Sequence, residues 1–325
     1  MTRFLLRRAG HAVFLLFGVS VLAFFFSSLA PGSYFDEMRL NPQISADRVT
    51  ALRAEYQVDR PMVARYAHWA GRLLRGDLGF SFAYNTPVAP LLWTRALNTL
   101  LLTGTATILV WLLALPLGVW SAERLGRPAD AALSLVTAAL LIVPDLALAL
   151  GLLLLAVRSG WLPTGGMVSV GFDGFSAAQK IRDVAVHLVL PVTVLGVSAL
   201  PVLLRHVRSA VAEALEAPFL RAAEGHGISR RRLLYRYALP AAGHPLIALF
   251  GFSLGTLLSG SLLVEVVMSW PGLGPFLLEA ILARDLYVVI GGVLLSTLFL
   301  VAGNFLADLL LYWIDPRIRA EASGR

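Results

Sequence analysis

The sequence contains no cysteine and only one lysine, Lys180. The absence of cysteine excludes disulfide bonds, thiolate nucleophiles and cysteine-ligated metal centres. The scarcity of lysine matters because a phosphate-binding loop of the form G-x-x-x-x-G-K-[ST] requires one. Lys180 follows Gln179 rather than glycine. The chain therefore cannot act as its own ATPase.

Metal-binding motifs are also missing from the sequence. The six histidines are scattered, and they form neither a His-x-x-x-His pair nor an H-E-x-x-H motif. We therefore expect no metal centre and no cofactor.

Charged residues are few, at 14% of the chain, whereas 58% of the residues are hydrophobic. This composition, with its positive mean hydropathy, is that of an integral membrane protein. The net charge of +7 can indicate a nucleic-acid partner. Its distribution instead fits membrane orientation, so we expect no nucleic acid to bind.

Six long apolar runs predict an all-α, polytopic membrane protein with six transmembrane helices. They lie at residues 9–29, 96–120, 131–157, 184–204, 243–267 and 286–313. The first run has the small residues that a cleaved signal peptide would need near position 30. It is long for a signal peptide, however, and Pro31 would directly follow the cut, so we interpret it as an uncleaved span.

These runs divide the chain into four parts: 1–29 with the first span, an external segment 30–95, a core of five spans 96–314, and a tail 315–325. The short segments on the side of the termini hold 15 lysines and arginines, against 4 on the other side. Because basic residues are retained in the cytoplasm, both termini are predicted to be cytoplasmic.

The most informative loop is a basic segment, residues 218–240, which reads PFLRAAEGHGISRRRLLYRYALP. Pro218 suits the first position of a helix, and Gly227 suits the left-handed residue that ends one. Ser229 is a candidate N-cap for a second helix that stops before Pro240. The pattern predicts a helix, a glycine turn and a second helix. A basic cytoplasmic loop by itself is common to membrane proteins of many kinds.

Five positions match the cytoplasmic "EAA" loop of binding-protein-dependent ABC transporter permeases: Ala222, Ala223, Gly227, Leu239 and Pro240. The sequence resembles that family, and within it the branch that imports dipeptides, oligopeptides and nickel. Two positions depart from the general pattern, since Arg221 replaces Glu and Tyr237 replaces Ile. The arginine resembles the variant of the peptide branch itself.

Further stretches resemble the same branch, so that the resemblance covers nearly the whole chain from Gly18 onward. They are APGSYFD, residues 52–61, Gly76-Asp77-Leu78-Gly79, residues 264–274, and residues 308–319.

The resemblance implies a permease subunit that forms half of the translocation pathway of an ABC importer in the bacterial inner membrane. Its implied partners are a second homologous permease, two P-loop ATPases, an extracytoplasmic substrate-binding protein and membrane lipid. The ATPases would dock on a coupling loop: Pro218, Phe219, Leu220, Arg221, Ala222, Ala223, Gly227, Leu239 and Pro240. Dipeptides, longer peptides, nickel chelates and other solutes are all compatible, because specificity is implied to lie largely in the binding protein.

Three acidic residues fall inside the apolar runs, where ionisable groups are costly and often functional. Asp145 follows Pro144 in mid-span, so its carboxylate should face the helix bundle or a pore, and we predict that it lines the pathway. Glu265 and Asp308 are either interfacial or functional. The rival hypothesis from these residues is an ion-coupled secondary transporter that uses all three as relays.

The fifth run contains Gly251-Phe252-Ser253-Leu254-Gly255, which matches the G-x-S-x-G motif of serine hydrolases. That motif needs a strand-to-helix turn, and this pentapeptide lies in an apolar span. An intramembrane hydrolase built on Ser253 is thus a weak alternative. Gly251, Gly255 and Ser259 recur every four residues, which predicts a stripe where another helix packs closely.

Overall fold

The computed structural model of the chain describes residues 2–29, 34–40, 45–55 and 60–314. Long helices dominate it: α1 (Thr2–Leu29), α5 (Val88–Glu123), α8 (Ala177–Glu216), α12 (Gly243–Val267) and α14 (Leu286–Ile314). Each of them contains a stretch that is long and apolar enough to cross a membrane. The predicted all-α polytopic fold is therefore confirmed.

Shorter elements join these spans. The helices are α2 (Tyr34–Leu40), α3 (Ala46–Glu55), α4 (Met62–Leu73), α6 (Pro128–Ile142), α7 (Asp145–Ser159), α9 (Pro218–Gly225), α10 (Arg230–Leu233), α11 (Leu239–Ala241) and α13 (Leu273–Leu282). Two short strands, β1 (Phe80–Ser81) and β2 (Thr86–Pro87), pair in antiparallel register with Ser81 opposite Thr86.

The third predicted span, 131–157, is not one straight helix, so this part of the prediction is corrected. It is divided into α6 and α7, which meet at an angle of 91°. Val143 and Pro144 between them have extended backbone, with ψ of 116° and 139°. Proline disfavours the helical conformation in the residue before it, which ends α6. Counted as one broken span, the pair raises the candidate spans among the described residues to six.

The other predicted spans coincide with helices or lie within them. The fifth and sixth match α12 and α14 to within a residue, whereas the fourth occupies the middle of α8. α8 begins at a capping box in which Ser176 and Gln179 satisfy each other's backbone N–H groups. Pro191 and Pro201 lie inside α8 without ending it.

Contacts between Cα atoms divide the chain into two units. The first unit comprises Met1–Phe4, Leu100–Trp270 and Leu300–Arg325. Its main apolar core contains buried side chains from α5, α7, α8 and α12, together with the fully buried ring of Trp270. A second cluster, which includes Val119, Val207 and Leu234, lies near the end of α8 that precedes the basic segment.

The second unit comprises Leu5–Thr99 and Pro271–Phe299. Its core is formed by Phe24, Trp69, Ile290 and Leu294. The indole Nε1 of Trp69 donates a hydrogen bond to the carbonyl oxygen of Leu78 at 3.1 Å, which satisfies its polar group in the apolar surroundings.

The β1–β2 hairpin belongs to this second unit and is held there by two acidic residues. Asp285 is fully buried, and its Oδ2 accepts hydrogen bonds from Ser81 Oγ at 2.6 Å and from the Ala83 N–H at 3.1 Å. The hydroxyl of Tyr84 donates a hydrogen bond to Glu279 in α13. The part of the predicted external segment next to α5 is thus folded against the residues around α13.

Candidate docking segment and membrane pathway

The first half of the basic segment has the local structure that its sequence predicts. Pro218 occupies the first position of α9, and Ala217 before it is extended, with φ −60° and ψ 139°. α9 ends at Gly225, and Gly227 adopts the left-handed conformation with φ +81°. A Cβ at Gly227 would meet no atom within 4 Å, so glycine is favoured here by its backbone conformation and not by lack of space.

The second half differs from the prediction at its end. Ser229 occupies the N-cap position of α10, but its side chain makes no capping hydrogen bond. α10 continues through a π-helical turn, Leu234–Ala238, into α11, which contains Pro240. The prediction that the helix stops before Pro240 is therefore wrong. The π turn changes the local hydrogen-bond pattern, and it accommodates a proline that has no N–H to donate.

One face of the basic segment packs against α8. Leu220, Leu233 and Ala238 are buried in a common cluster to which Leu215 of α8 contributes. Leu220 is only 2% exposed, so this contact fixes α9 against the end of the longest helix in the described chain. Of the predicted docking residues, Leu220 is therefore a packing residue.

The opposite face of the basic segment is accessible. Phe219 is 55% exposed, which is unusual for a large aromatic side chain outside the membrane-spanning helices. Arg221 and Ala222 are also exposed, whereas Ala223 and Leu239 are half-buried. The arginines 230–232 add positive charge to this surface. Apolar and basic side chains of the segment are therefore both exposed.

A groove of about 500 Å³ runs beside this surface. It is lined by Ala210, Glu213, Ala214, Glu216, Ala217, Phe219, Ala241, Ala242 and Pro245. Its walls come from the ends of α8, α9, α11 and α12 that meet at the basic segment. The small alanines leave room for a side chain from another molecule, and the two glutamates give one wall negative charge.

Asp145 lies at the bend between α6 and α7, as the first residue of α7. Its side chain is exposed, and its Oδ1 accepts a hydrogen bond from Ser198 Oγ of α8 at 2.6 Å. The bend at Pro144 therefore presents a carboxylate on the surface of the first unit, and the hydrogen bond from α8 holds it in place.

The other two acidic residues of the apolar runs lie in different surroundings. Glu265 is fully buried two residues before the end of α12, and its Oε1 accepts a hydrogen bond from Ser261 Oγ at 3.4 Å. Asp308 is half-buried in α14. The interfacial interpretation of Glu265 does not fit, because the protein itself encloses the carboxyl group.

Two of the three small residues predicted to form a packing stripe lie against α14. A Cβ added at Gly251 would be 2.4 Å from Cβ of Ala307, and one added at Gly255 would be 2.1 Å from Cδ1 of Leu300. Ser259 has an exposed side chain and lies outside this contact. A step of four residues advances the helix by about 40° more than a full turn, so the third member rotates away from the neighbour.

Ser253 has surroundings unlike those of a hydrolytic serine. Its side chain is buried in the middle of α12. Its Oγ accepts a hydrogen bond from Trp111 Nε1 at 2.9 Å and donates one to the carbonyl of Phe250 at 2.7 Å. The strand-to-helix turn of a nucleophile elbow is not present here. The serine links α12 to α5.

Among the described residues, no group of three or more His, Asp or Glu side chains is arranged to hold a metal ion.

The sequence analysis missed a buried ion pair in the first unit. Arg208 of α8 donates from Nε and Nη2 to the two carboxylate oxygens of Asp130 in α6, at 2.6 and 2.7 Å. Asp130 is 2% exposed, although it looks like a loop residue in the sequence. The available signal was the helical spacing of Arg208 from the apolar residues Leu204 and Val211, which places it near the buried face of α8.

Two family models match the chain. The model described as "Binding-protein-dependent transport system inner membrane component" matches residues 114–320, and the corresponding N-terminal model matches residues 1–103. The chain belongs to this family. This permease is therefore an integral protein of the inner membrane. The members of its family are components of transport systems and not enzymes.

Curated relatives match the permease over almost its full length. The oligopeptide transport system permease protein AppB of Bacillus subtilis is 33% identical over 321 residues, covering 98% of this chain and 99% of the relative. The dipeptide transport system permease protein DppB of Escherichia coli K12 is 33% identical over 341 residues, with the same coverage. The glutathione transport system permease protein GsiC of Escherichia coli O6:H1 is 31% identical over 324 residues, again covering 98% and 99%.

A solved structure shares the fold. The MetNI methionine ABC transporter, in inward-facing conformations, matches with a TM-score of 0.52 and 20% identity, over 69% of this permease and 96% of that chain. Family, relatives and fold agree on the permease component of an ABC importer. They support this function over the ion-coupled transporter that Asp145, Glu265 and Asp308 would serve.

Proposed function

We propose that this permease forms one half of a translocation pathway for peptides or related small solutes. The proposal is supported by the named relatives, which are permeases for oligopeptides, dipeptides and glutathione. A second, homologous permease forms the other half. Two P-loop ATPases supply the energy, and an extracytoplasmic binding protein delivers the solute.

The observation that carries the proposal is the direct connection between α9 and α8. α8 has 40 residues, about 60 Å of helix, and only Ala217 separates it from α9. Leu220 also anchors α9 in the cluster that includes Leu215 of α8. A displacement of α9 therefore moves the adjoining end of α8 as a rigid body, the kind of movement that a closing ATPase can drive.

α8 is in turn fastened to α6 and α7. The Arg208–Asp130 ion pair joins α8 to the first turn of α6, and the Ser198–Asp145 hydrogen bond joins it to the first turn of α7. Because each contact lies on the same long helix, a movement of α8 also moves the bend between α6 and α7. The proposed pathway would thus open and close at Asp145, whose exposed carboxylate lines it.

The ATPase surface is the exposed face of the basic segment. Phe219 enters an apolar pocket of the ATPase, and Arg221 with arginines 230–232 pairs with acidic residues around it. This arrangement requires the basic segment and both termini to be cytoplasmic, in agreement with the excess of basic residues in the segments on that side.

The decisive experiment is to tag the permease, solubilise it from its native membrane, and identify the bound subunits while ATPase activity is assayed. A stoichiometric P-loop ATPase is expected. Gly227→Ala should weaken ATPase retention, because an alanine at φ +81° is strained by about 1–2 kcal/mol and distorts the turn. Gly225→Ala is the matched control, since Gly225 is the last residue of α9 and its φ is not positive.

Loss of the ATPase in Gly227→Ala and its retention in Gly225→Ala would support docking at this segment. Equal retention in both variants would place the docking surface elsewhere. A permease that transports its solute without any bound ATPase would overturn the proposal as a whole.

A further inference from the structure

A cleft lies between α6 and α8. It is located between the Arg208–Asp130 ion pair, which joins α8 to α6, and the Ser198–Asp145 hydrogen bond, which joins α8 to α7. Its volume is about 190 Å³. Its walls include Ser134, Thr137 and Leu141 of α6 and Pro201, Arg205 and Arg208 of α8. The cleft lies entirely within the first unit, and none of these residues belongs to the basic segment.

The cleft is polar at one end and apolar at the other. α6 and α8 run antiparallel, since residue 130 contacts residue 208 and residue 145 contacts residue 198. Ser134 therefore lies at the level of Arg205 and Arg208, and Leu141 lies towards Pro201 and the bend. Such a gradient along one cleft matches a molecule with an anionic head and an apolar tail.

Arg205 and Arg208 both line the polar end of the cleft, and among the described residues Asp130 is the one carboxylate that pairs with either of them. Arg208 uses Nε and Nη2 for Asp130, which leaves the two N–H groups of Nη1 for another acceptor. Arg205 is exposed and has no ion-pair or hydrogen-bond partner in the part of the chain that the structure describes. Like charges three residues apart on a helix repel each other, so an anion between them is stabilising.

The polar end lies at the depth of lipid headgroups. Arg205 is 11 residues from the centre of the apolar stretch 184–204, or about 16 Å along α8, close to half the thickness of the hydrocarbon core. The end of α8 at Glu216 is roughly 16 Å further on. A cytoplasmic ATPase on α9 therefore lies beyond the cleft, whereas the headgroup phosphates lie beside it.

We propose that this cleft binds the headgroup phosphate of an anionic phospholipid from the cytoplasmic leaflet, with Arg205 and Arg208 as its ligands. The leaflet assignment rests on the orientation in the proposed function. The lipid glycerol lies against Ser134 and Thr137, and one acyl chain follows Leu141 and Pro201 towards the bend. Basic clefts between transmembrane helices on the cytoplasmic side suit such headgroups.

The test uses the assembled transporter, with the permease in its full length, in nanodiscs that contain phosphatidylglycerol and phosphatidylcholine. The ratio of the two lipids that stay bound after extraction is measured by native mass spectrometry. Arg205→Gln should lower the preference for phosphatidylglycerol roughly fivefold, the contribution expected of one basic residue near a membrane surface. Arg205→Lys should retain most of the preference, because it keeps the charge.

Arg158→Gln is the matched control, since Arg158 is an exposed arginine at the other end of α7 and far from the cleft. It should leave the lipid ratio unchanged. Ala138→Trp, which fills the middle of the cleft without altering charge, should lower the preference as Arg205→Gln does. A similar loss of preference in Ala138→Trp and Arg205→Gln would show that the lipid binds in the cleft and is not attracted only by the positive charge of the surface.

An unchanged lipid ratio in Arg205→Gln would overturn the proposal, and so would displacement of phosphatidylglycerol by inorganic phosphate. A headgroup-diazirine phosphatidylglycerol should crosslink to residues 134–141 or 201–208. Crosslinks of the probe only to other parts of the transporter, with none to these residues, would mean that lipid does not enter the cleft and would overturn the proposal. Co-purification of the ATPase with Arg205→Gln is measured in the same preparation, so failure of the lipid site is distinguished from failure of the importer assignment.

Discussion

Arg208 and Asp130 lie 78 residues apart in the sequence and form a bidentate ion pair. Ser121 Oγ and the Gly126 N–H donate two further hydrogen bonds to the same carboxylate, at 2.5 and 3.1 Å. The Asp130 carboxylate is therefore almost fully satisfied in a position that water scarcely reaches. The pair joins the end of α5, the start of α6 and the C-terminal third of α8 at one point.

Asp130→Ala should destabilise the permease strongly, because it leaves Arg208 with an uncompensated charge beside the buried face of α8. We expect a loss of about 3 kcal/mol in the free energy of unfolding in detergent, near the low end for a buried pair since Arg208 is 28% exposed. Glu123→Gln is the control. Glu123 contacts Arg124 at 3.6 Å on the surface, a pair worth about 0–1 kcal/mol. Similar losses in both variants would contradict the structural role of Asp130.

Asp145→Asn should lower solute uptake on the order of tenfold, or about 1.4 kcal/mol, if the charge itself acts on the pathway. The amide oxygen of asparagine still accepts the hydrogen bond from Ser198, so the bend keeps its shape. Ser198→Ala removes that hydrogen bond and keeps the charge, and a smaller effect is expected. Uptake is measured in proteoliposomes that contain the whole transporter. Wild-type uptake by Asp145→Asn and Asp145→Ala would remove Asp145 from the pathway.

Gly251→Ala should destabilise the contact between α12 and α14 by about 1–3 kcal/mol, because the new methyl group would overlap Cβ of Ala307, which cannot rotate away. Gly255→Ala should cost less, since the atom in its way is the end of the Leu300 side chain. Gly260→Ala on the same helix meets nothing within 4 Å and is the control. The unfolding midpoint measures all three. The double variant Gly251→Ala with Ala307→Gly should recover stability, and no recovery would argue against this contact.

The hydrogen bond between Tyr84 and Glu279 should make stability depend on pH in the alkaline range. Burial and the neighbouring carboxylate raise the pKa of Tyr84 from 10 to about 12. The folded protein thus favours the protonated hydroxyl, and this contribution is complete below pH 10 and lost as the pH rises from 10 to 12. Tyr84→Phe should lose less stability than wild type over that range, as measured by thermal unfolding. Tyr235→Phe, at an exposed tyrosine, should follow wild type, and identical profiles for all three would refute the effect.

Local signals predicted the parts of the fold that local physics determines. Pro218 and Gly227 mark the start of α9 and the turn after it because both act through backbone conformation, which neighbouring residues hardly alter. The apolar runs at 243–267 and 286–313 coincide with α12 and α14 because hydrocarbon thickness sets their length.

The remaining features depend on contacts that the sequence does not display. Pro144 by itself is compatible with a kinked helix or with two separate helices. The observed 91° bend also depends on α8, because Ser198 of α8 donates a hydrogen bond to Asp145. Asp285 and Ser81 are 204 residues apart, so their hydrogen bond has no local signature. Pro240 does not end the helix, because the π turn before it changes the hydrogen-bond pattern so that the missing N–H of the proline is accommodated.

The attachment of the β1–β2 hairpin by Asp285 and Glu279 determines how this permease can be recombined with its relatives. A chimera that exchanges only the residues between the first two spans would place a foreign hairpin against the native α13. If that hairpin has no hydroxyl at position 81, the buried Asp285 carboxylate loses its hydrogen bond from Ser81. A functional exchange must therefore replace two separate stretches of sequence together. One stretch ends in the hairpin, and the other runs from Pro271 to Phe299.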